Sequence, residues 1–141
     1  MARWRWVMLF ISFGGLTVAA VAAPKAAPAD SSGLIRRGDY LTHHVAMCVQ
    51  CHSPRDPEGN IVESQEFRGA PIPVQSFPWA TSWAYASVNL RGMPGWSTEE
   101  AIHFLETGER FDGKKPQLPM PPFRLSHEDA EAVVAYLKSL K

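Results

Sequence analysis

The sequence predicts an all-α fold of three main helices joined by long loops. Three observations carry that prediction. Apolar residues recur at helical spacing in three separate segments, a Pro-rich stretch follows the first of them, and almost nothing alternates with the period of two expected of strands.

The 141 residues suffice for one small domain, and not all of them belong to it. Residues 1–23 read as an export signal or an N-terminal membrane anchor. Arg3 and Arg5 precede the apolar run Trp6-Val7-Met8-Leu9-Phe10-Ile11, then Gly14-Gly15 and a small-residue end, with Ala-x-Ala cleavage options at 20–22 and 27–29. Residues 6–23 carry no charge and are just long enough to span a bilayer, so membrane anchoring through them stays open beside cleavage. Residues 24–33, rich in Pro, Ala and Ser, form a connector that cannot bury a core. Residues 34–141 are then the folded domain, near the lower size for a self-sufficient core. Formal net charge is zero for the whole chain, but without Arg3, Arg5 and Lys25 it becomes 14 acids against 11 bases. That mild acidic excess argues against nucleic acid and names no partner by itself.

Leu34, Gly38, Leu41, Val45 and Cys48 mark one face of a first helix. Gly38 on that face predicts close approach of another helix, because glycine otherwise weakens a helix interior by about 1 kcal/mol. The helix leads into Cys48-Val49-Gln50-Cys51-His52, the only place the chain uses cysteine. C-x-x-C-H is the attachment signature of c-type haem. Two thiols three positions apart point the same way from one helical turn, so both reach the vinyl groups of one porphyrin, and His52 becomes the proximal iron ligand. A Cys48–Cys51 disulfide would close a tiny loop. A zinc site lacks its second pair of ligands. A thiol redox pair would follow a strand, and here a helix precedes it. A single pentad implies a single haem.

Residues 53–80 read as a long loop, with Pro54, Pro57, Pro71, Pro73 and Pro78 and at most a short extended piece at Ile61-Val62. Such length suits a segment wrapped around a cofactor. Trp79, Trp83 and Tyr85 cluster around its end, with core packing favoured over an interaction edge. Ser97 caps a second helix with Glu100 as the capping-box acid; Ala101, Ile102 and Leu105 form its buried stripe and Gly108 stops it. Ser126 opens a third, with Glu128 and Asp129 at its positive dipole end and Ala130, Val133, Val134, Leu137 and Leu140 on its apolar face.

The sixth iron ligand is best supplied by Met120. Leu118-Pro119-Met120-Pro121-Pro122-Phe123 sets proline on both sides, which excludes helix and stiffens the segment. The chain between His52 and Met120 is long enough to pass round a haem to its other face. Met93 is the runner-up, and Met47, beside the attachment site, is expected on the proximal side. His43, His44, His103 and His127 read as surface or satisfied histidines.

Arg37-Gly38-Asp39-Tyr40-Leu41, the pentad, Pro94-Gly95-Trp96-Ser97, the Met120 segment and Leu125 to Ala130 with Ala135-Tyr136-Leu137 together resemble the class I cytochrome c family. Their order is similar to cytochrome c subunits of bacterial dehydrogenase complexes, although those often carry several haems. The resemblance implies a cytochrome c fold around one covalent haem c, Cys48 and Cys51 as thioether attachments, and His52 and Met120 as iron ligands. It also implies packing of the first helix on the last, with Gly38 and Tyr40 near Tyr136. The expected protein is a periplasmic electron carrier rather than an enzyme, soluble or tethered to the inner membrane. Its partners would be redox proteins: a dehydrogenase, an oxidase or another cytochrome.

Overall fold

The computed structural model describes residues 31–141. Residues 1–23, expected to be an export signal or a membrane anchor, and residues 24–30 of the expected connector lie outside them. Among the described residues the chain forms α1 (Ser31–Tyr40), a π-helical turn (Leu41–Val45), α2 (Cys48–His52), a short 3-10 turn (Glu63–Gln65), α3 (Thr98–Thr107) and α4 (His127–Ser139). No strand occurs among them; Arg55 with Ile61 and Pro71 with Ala86 make only isolated bridges. No described helix is long and apolar enough to cross a membrane. Ser31 to Gly33, which the sequence assigned to the connector, already belong to α1.

Gly38 acts as its position predicted. A Cβ there would overlap the Ala132 carbonyl oxygen and lie 2.6 Å from the Tyr136 Cβ, so α1 and α4 touch backbone to backbone at a point where even alanine would push them apart. Arg37 on α1 makes a two-pronged ion pair with Asp129 on α4, at 2.9 and 3.2 Å. That pair is largely exposed and adds little beside the packing. Tyr40 does not join Tyr136: it is 51% exposed and lies against His44, while Tyr136 meets His43 and Phe67.

The first helix does not run unbroken into the pentad. Thr42 is fully buried and turns its hydroxyl back onto the Gly38 carbonyl at 2.9 Å. Side-chain bonds of this kind compete with the helical ladder and bend it. The Ala46 N–H then reaches back five residues to the Leu41 carbonyl, 2.8 Å away. Met47 follows in the left-handed region, at φ 54°, and separates the π turn from α2. Val45, expected on the buried face, is consequently 54% exposed.

The capping residues were legible. The Ser97 hydroxyl accepts from the Glu100 N–H at 3.0 Å and the Ser126 hydroxyl from the Asp129 N–H at 3.3 Å. Gly108 ends α3 at φ 70°. The Glu100 carboxylate, however, turns to Arg110 at 2.8 Å instead of completing a capping box. Ala101, Leu105, Ala130, Val133, Val134 and Leu137 form the helical core with Leu41. The loop contributes Phe67, which is fully buried and worth about 1.5–3 kcal/mol in transfer free energy. Its carbonyl accepts from Leu90 N–H at 2.7 Å, so the long loop is pinned to the core midway. Trp79 and Tyr85 do not pack in the core: they are 71% and 74% exposed, and Trp79 stacks on Phe77.

Candidate functional site

The kink at Met47 presents α2 to a cavity of about 300 Å³. Cys48, Cys51 and His52 line it from the attachment turn, and Pro119, Met120 and Pro121 from the proline-rich segment. Ile72, Leu90, Met93, Leu105, Val133 and Leu137 make the rest of its walls largely apolar. All four residues singled out from the sequence thus meet at one site. Met93 and Met47 also reach it, but none of the four histidines outside the pentad does.

Cys51 and His52 are held by partners remote in sequence. The His52 ring lies 2.8 Å through Nδ1 from the Val88 carbonyl. A carbonyl only accepts, so Nδ1 carries the proton and Nε2 keeps its lone pair, which is the tautomer a metal ligand needs. Burial lowers the His52 pKa against the opposing pull of that hydrogen bond, so the ring stays neutral. The His52 carbonyl accepts from Gly69 N–H at 2.9 Å. Ser87 donates its hydroxyl to the Cys51 carbonyl at 2.7 Å and accepts from Ala70 N–H at 2.9 Å. Neither Val88 nor Ser87 announces this role in the sequence; both lie in loop and act through position alone.

Burial pushes the Cys48 thiol up to about 11. A dithiol built for exchange has its nucleophile lowered instead, so burial works against Cys48 as an exchange nucleophile. Met120 closes a turn, its N–H donating to the Gln117 carbonyl at 3.1 Å, while the Leu118 carbonyl accepts from Ala84 N–H at 2.7 Å. These bonds tie the Met120 segment to the wall of the loop. Met93 sits in the core, 8% exposed, packed with the buried helical residues. The histidines outside the pentad are engaged elsewhere: His127 with Glu106, His103 against Phe111, His44 against Tyr40, His43 with Asp39 and Glu66.

The donor set fits a covalently attached haem: two thiols, a neutral imidazole with a free lone pair and a thioether around one apolar cavity. Trp83 Nε1 adds to the fit. It is buried with no acceptor among the described residues, and its neighbour Ala84 lines the cavity. A buried donor of this kind suits a bound group that brings its own acceptors.

A family model described as Cytochrome c matches residues 42–141. No curated protein matches the chain significantly.

Proposed function

The chain belongs to the cytochrome c family, and on that premise we propose that it is a monohaem electron carrier whose iron is held between His52 and Met120. The family binds covalent haem c through C-x-x-C-H, which Cys48, Cys51 and His52 supply here, and haem-based electron transfer is its chemistry. The bound haem would supply a one-electron redox centre. The protein's own work is to hold the imidazole in one tautomer, keep water from most of the cavity and set the potential through ligands and burial. On this reading it breaks and makes no bonds of a substrate and is not an enzyme.

One observation carries the reading: Met120 and His52 line the same apolar cavity as the two attachment thiols, while none of the other histidines does. A His/Met pair gives a raised potential suited to a carrier. The partners would be redox proteins of the periplasm, such as a dehydrogenase, an oxidase or another cytochrome, and the similarity to dehydrogenase cytochrome subunits belongs to the same proposal. Docking of carriers is small in area and transient. Residues 1–23 would direct export and leave the domain soluble or tethered.

The test is the optical spectrum of the oxidised, haem-loaded protein. A low-spin spectrum with the weak long-wavelength sulfur-to-iron band is expected. A high-spin spectrum would mean an open iron site and turn the reading to ligand binding or catalysis.

A further inference from the structure

His43 is not part of the cavity, yet it stands where three elements meet. It lies in the π turn, with its ring edge-on to Phe67 of the loop at 5.2 Å and to Tyr136 of α4 at 5.9 Å. Nδ1 is 2.9 Å from the Asp39 carbonyl and equally close to the Asp39 carboxylate. Nε2 is 3.3 Å from Glu66 Oε2. Thr42 Oγ1, 3.5 Å from Nδ1, is turned to the Gly38 and Asp39 carbonyls and has one proton to give them. Both ring nitrogens therefore face acceptors. A neutral imidazole donates from one nitrogen only; an imidazolium donates from both. The arrangement is complete only when His43 is charged.

Glu66 connects this residue to the attachment turn. The next residue, Phe67, donates its N–H to Ser53 Oγ at 3.1 Å, and Gly69 donates to the His52 carbonyl at 2.9 Å. The Phe67 carbonyl takes Leu90 N–H, two residues beyond the Val88 carbonyl that orients His52. The segment gripped by His43 is thus the one that holds His52 from behind.

We propose that His43 is a proton-operated latch. Charged, it fastens the Glu66–Gly69 segment to the first helix; neutral, with its one proton kept on Nδ1 against the two closer Asp39 oxygens, it releases the Glu66 tie, so that proton binding at His43 and electron occupancy of the haem are coupled. The coupling rests on the electron-carrier reading; the latch itself does not. The groups facing His43 are Asp39 of α1, the adjacent His44 of the π turn, Glu66 of the loop and Tyr136 of α4, with Arg91 behind Glu66, bonded to its carbonyl. Burial lowers the pKa of His43, but the hydrogen bonds and charges of Asp39 and Glu66 outweigh it, and the net direction is upward from the usual 6.5. A group raised in the folded state stabilises the fold fully below its unfolded value and loses that contribution as pH rises through its folded value. Added electron density at the haem favours the imidazolium, and by linkage the imidazolium favours reduction.

The experiment follows the His43 ring by NMR and the reduction potential by redox titration across neutral pH, on the haem-loaded protein and its Glu66→Gln and His43→Gln variants. The His43 midpoint is expected above 6.5 and the potential is expected to fall through that same pH. Glu66→Gln should weaken proton affinity at His43 by roughly tenfold or more. His43→Gln should flatten the potential over that range. A His43 midpoint at or below the ordinary value, or one indifferent to Glu66→Gln, overturns the latch. A potential flat through the His43 midpoint overturns the coupling. A protein that exchanges no electrons reversibly overturns the carrier reading and the coupling with it, while the ring titration still judges the latch.

Discussion

The attachment turn and the Met120 segment line one cavity but are held in different ways. Cys48–His52 hangs on bonds from far along the chain: Val88 to the His52 ring, Gly69 to the His52 carbonyl, Ser87 to the Cys51 carbonyl. Val49 and His52 are buried within it. The Met120 segment has Leu118 41% exposed and its main-chain ties are those of its own turn and of Ala84. Its stiffness comes from Pro119, Pro121 and Pro122, which restrict their own and preceding residues without help from the rest of the fold. One wall is fixed by tertiary structure, the other chiefly by local covalent constraint with the Ala84 bond as its remote tie. Damage to the first should therefore read out as lost stability, and damage to the second as altered iron chemistry.

The largest effect is expected where α4 backs the cavity. Leu137→Asp sets an unpaired charge at a site 3% exposed and should cost about 3–5 kcal/mol, measured by denaturant unfolding of the haem-loaded protein. A cost below 1 kcal/mol would mean that the face of α4 is not the support of the cavity. Ser87→Ala separates the two walls more finely. It deprives Ala70 N–H and the Cys51 carbonyl of their shared hydroxyl and should cost about 1–3 kcal/mol with the spectrum unchanged. An unchanged unfolding midpoint would show that the turn does not need its remote ties. Met120→Ala should have the smallest effect on stability, about 1 kcal/mol for a half-buried thioether. Its effect should fall on the iron instead: loss of the sulfur-to-iron band, a lower potential and binding of small ligands. An intact band would remove Met120 from the coordination sphere, and a stability loss larger than that of Ser87→Ala would reverse the contrast between the walls.

The helices that carry strong local signals were legible. Ser97, Ser126 and Gly108 perform the capping their types suggest, because each acts on backbone groups within four residues. Gly38 announced a close contact, although not that Ala132 would be its partner. The π turn was not legible, since the apolar spacing from Leu34 to Cys48 fits one continuous helix and only the buried Thr42 and the left-handed Met47 break it. The Trp79 and Tyr85 rings were misjudged because aromatic size argues for burial wherever the loop runs, while the path of the loop decides it.

The sequence by itself determined the all-α character, both ends of α3 and the start of α4, the attachment pentad and the candidate status of Met120. These depend on spacing, capping chemistry and proline, which act over a few residues. Only the tertiary structure decided that Met120 shares a cavity with His52 and that Met93 packs into the core. It alone supplied Val88 as the acceptor that fixes the His52 tautomer, and Glu66 as a second acceptor facing the His43 ring. A backbone carbonyl is the same in every residue, so its role is set by where folding brings it and leaves no mark in the residue type.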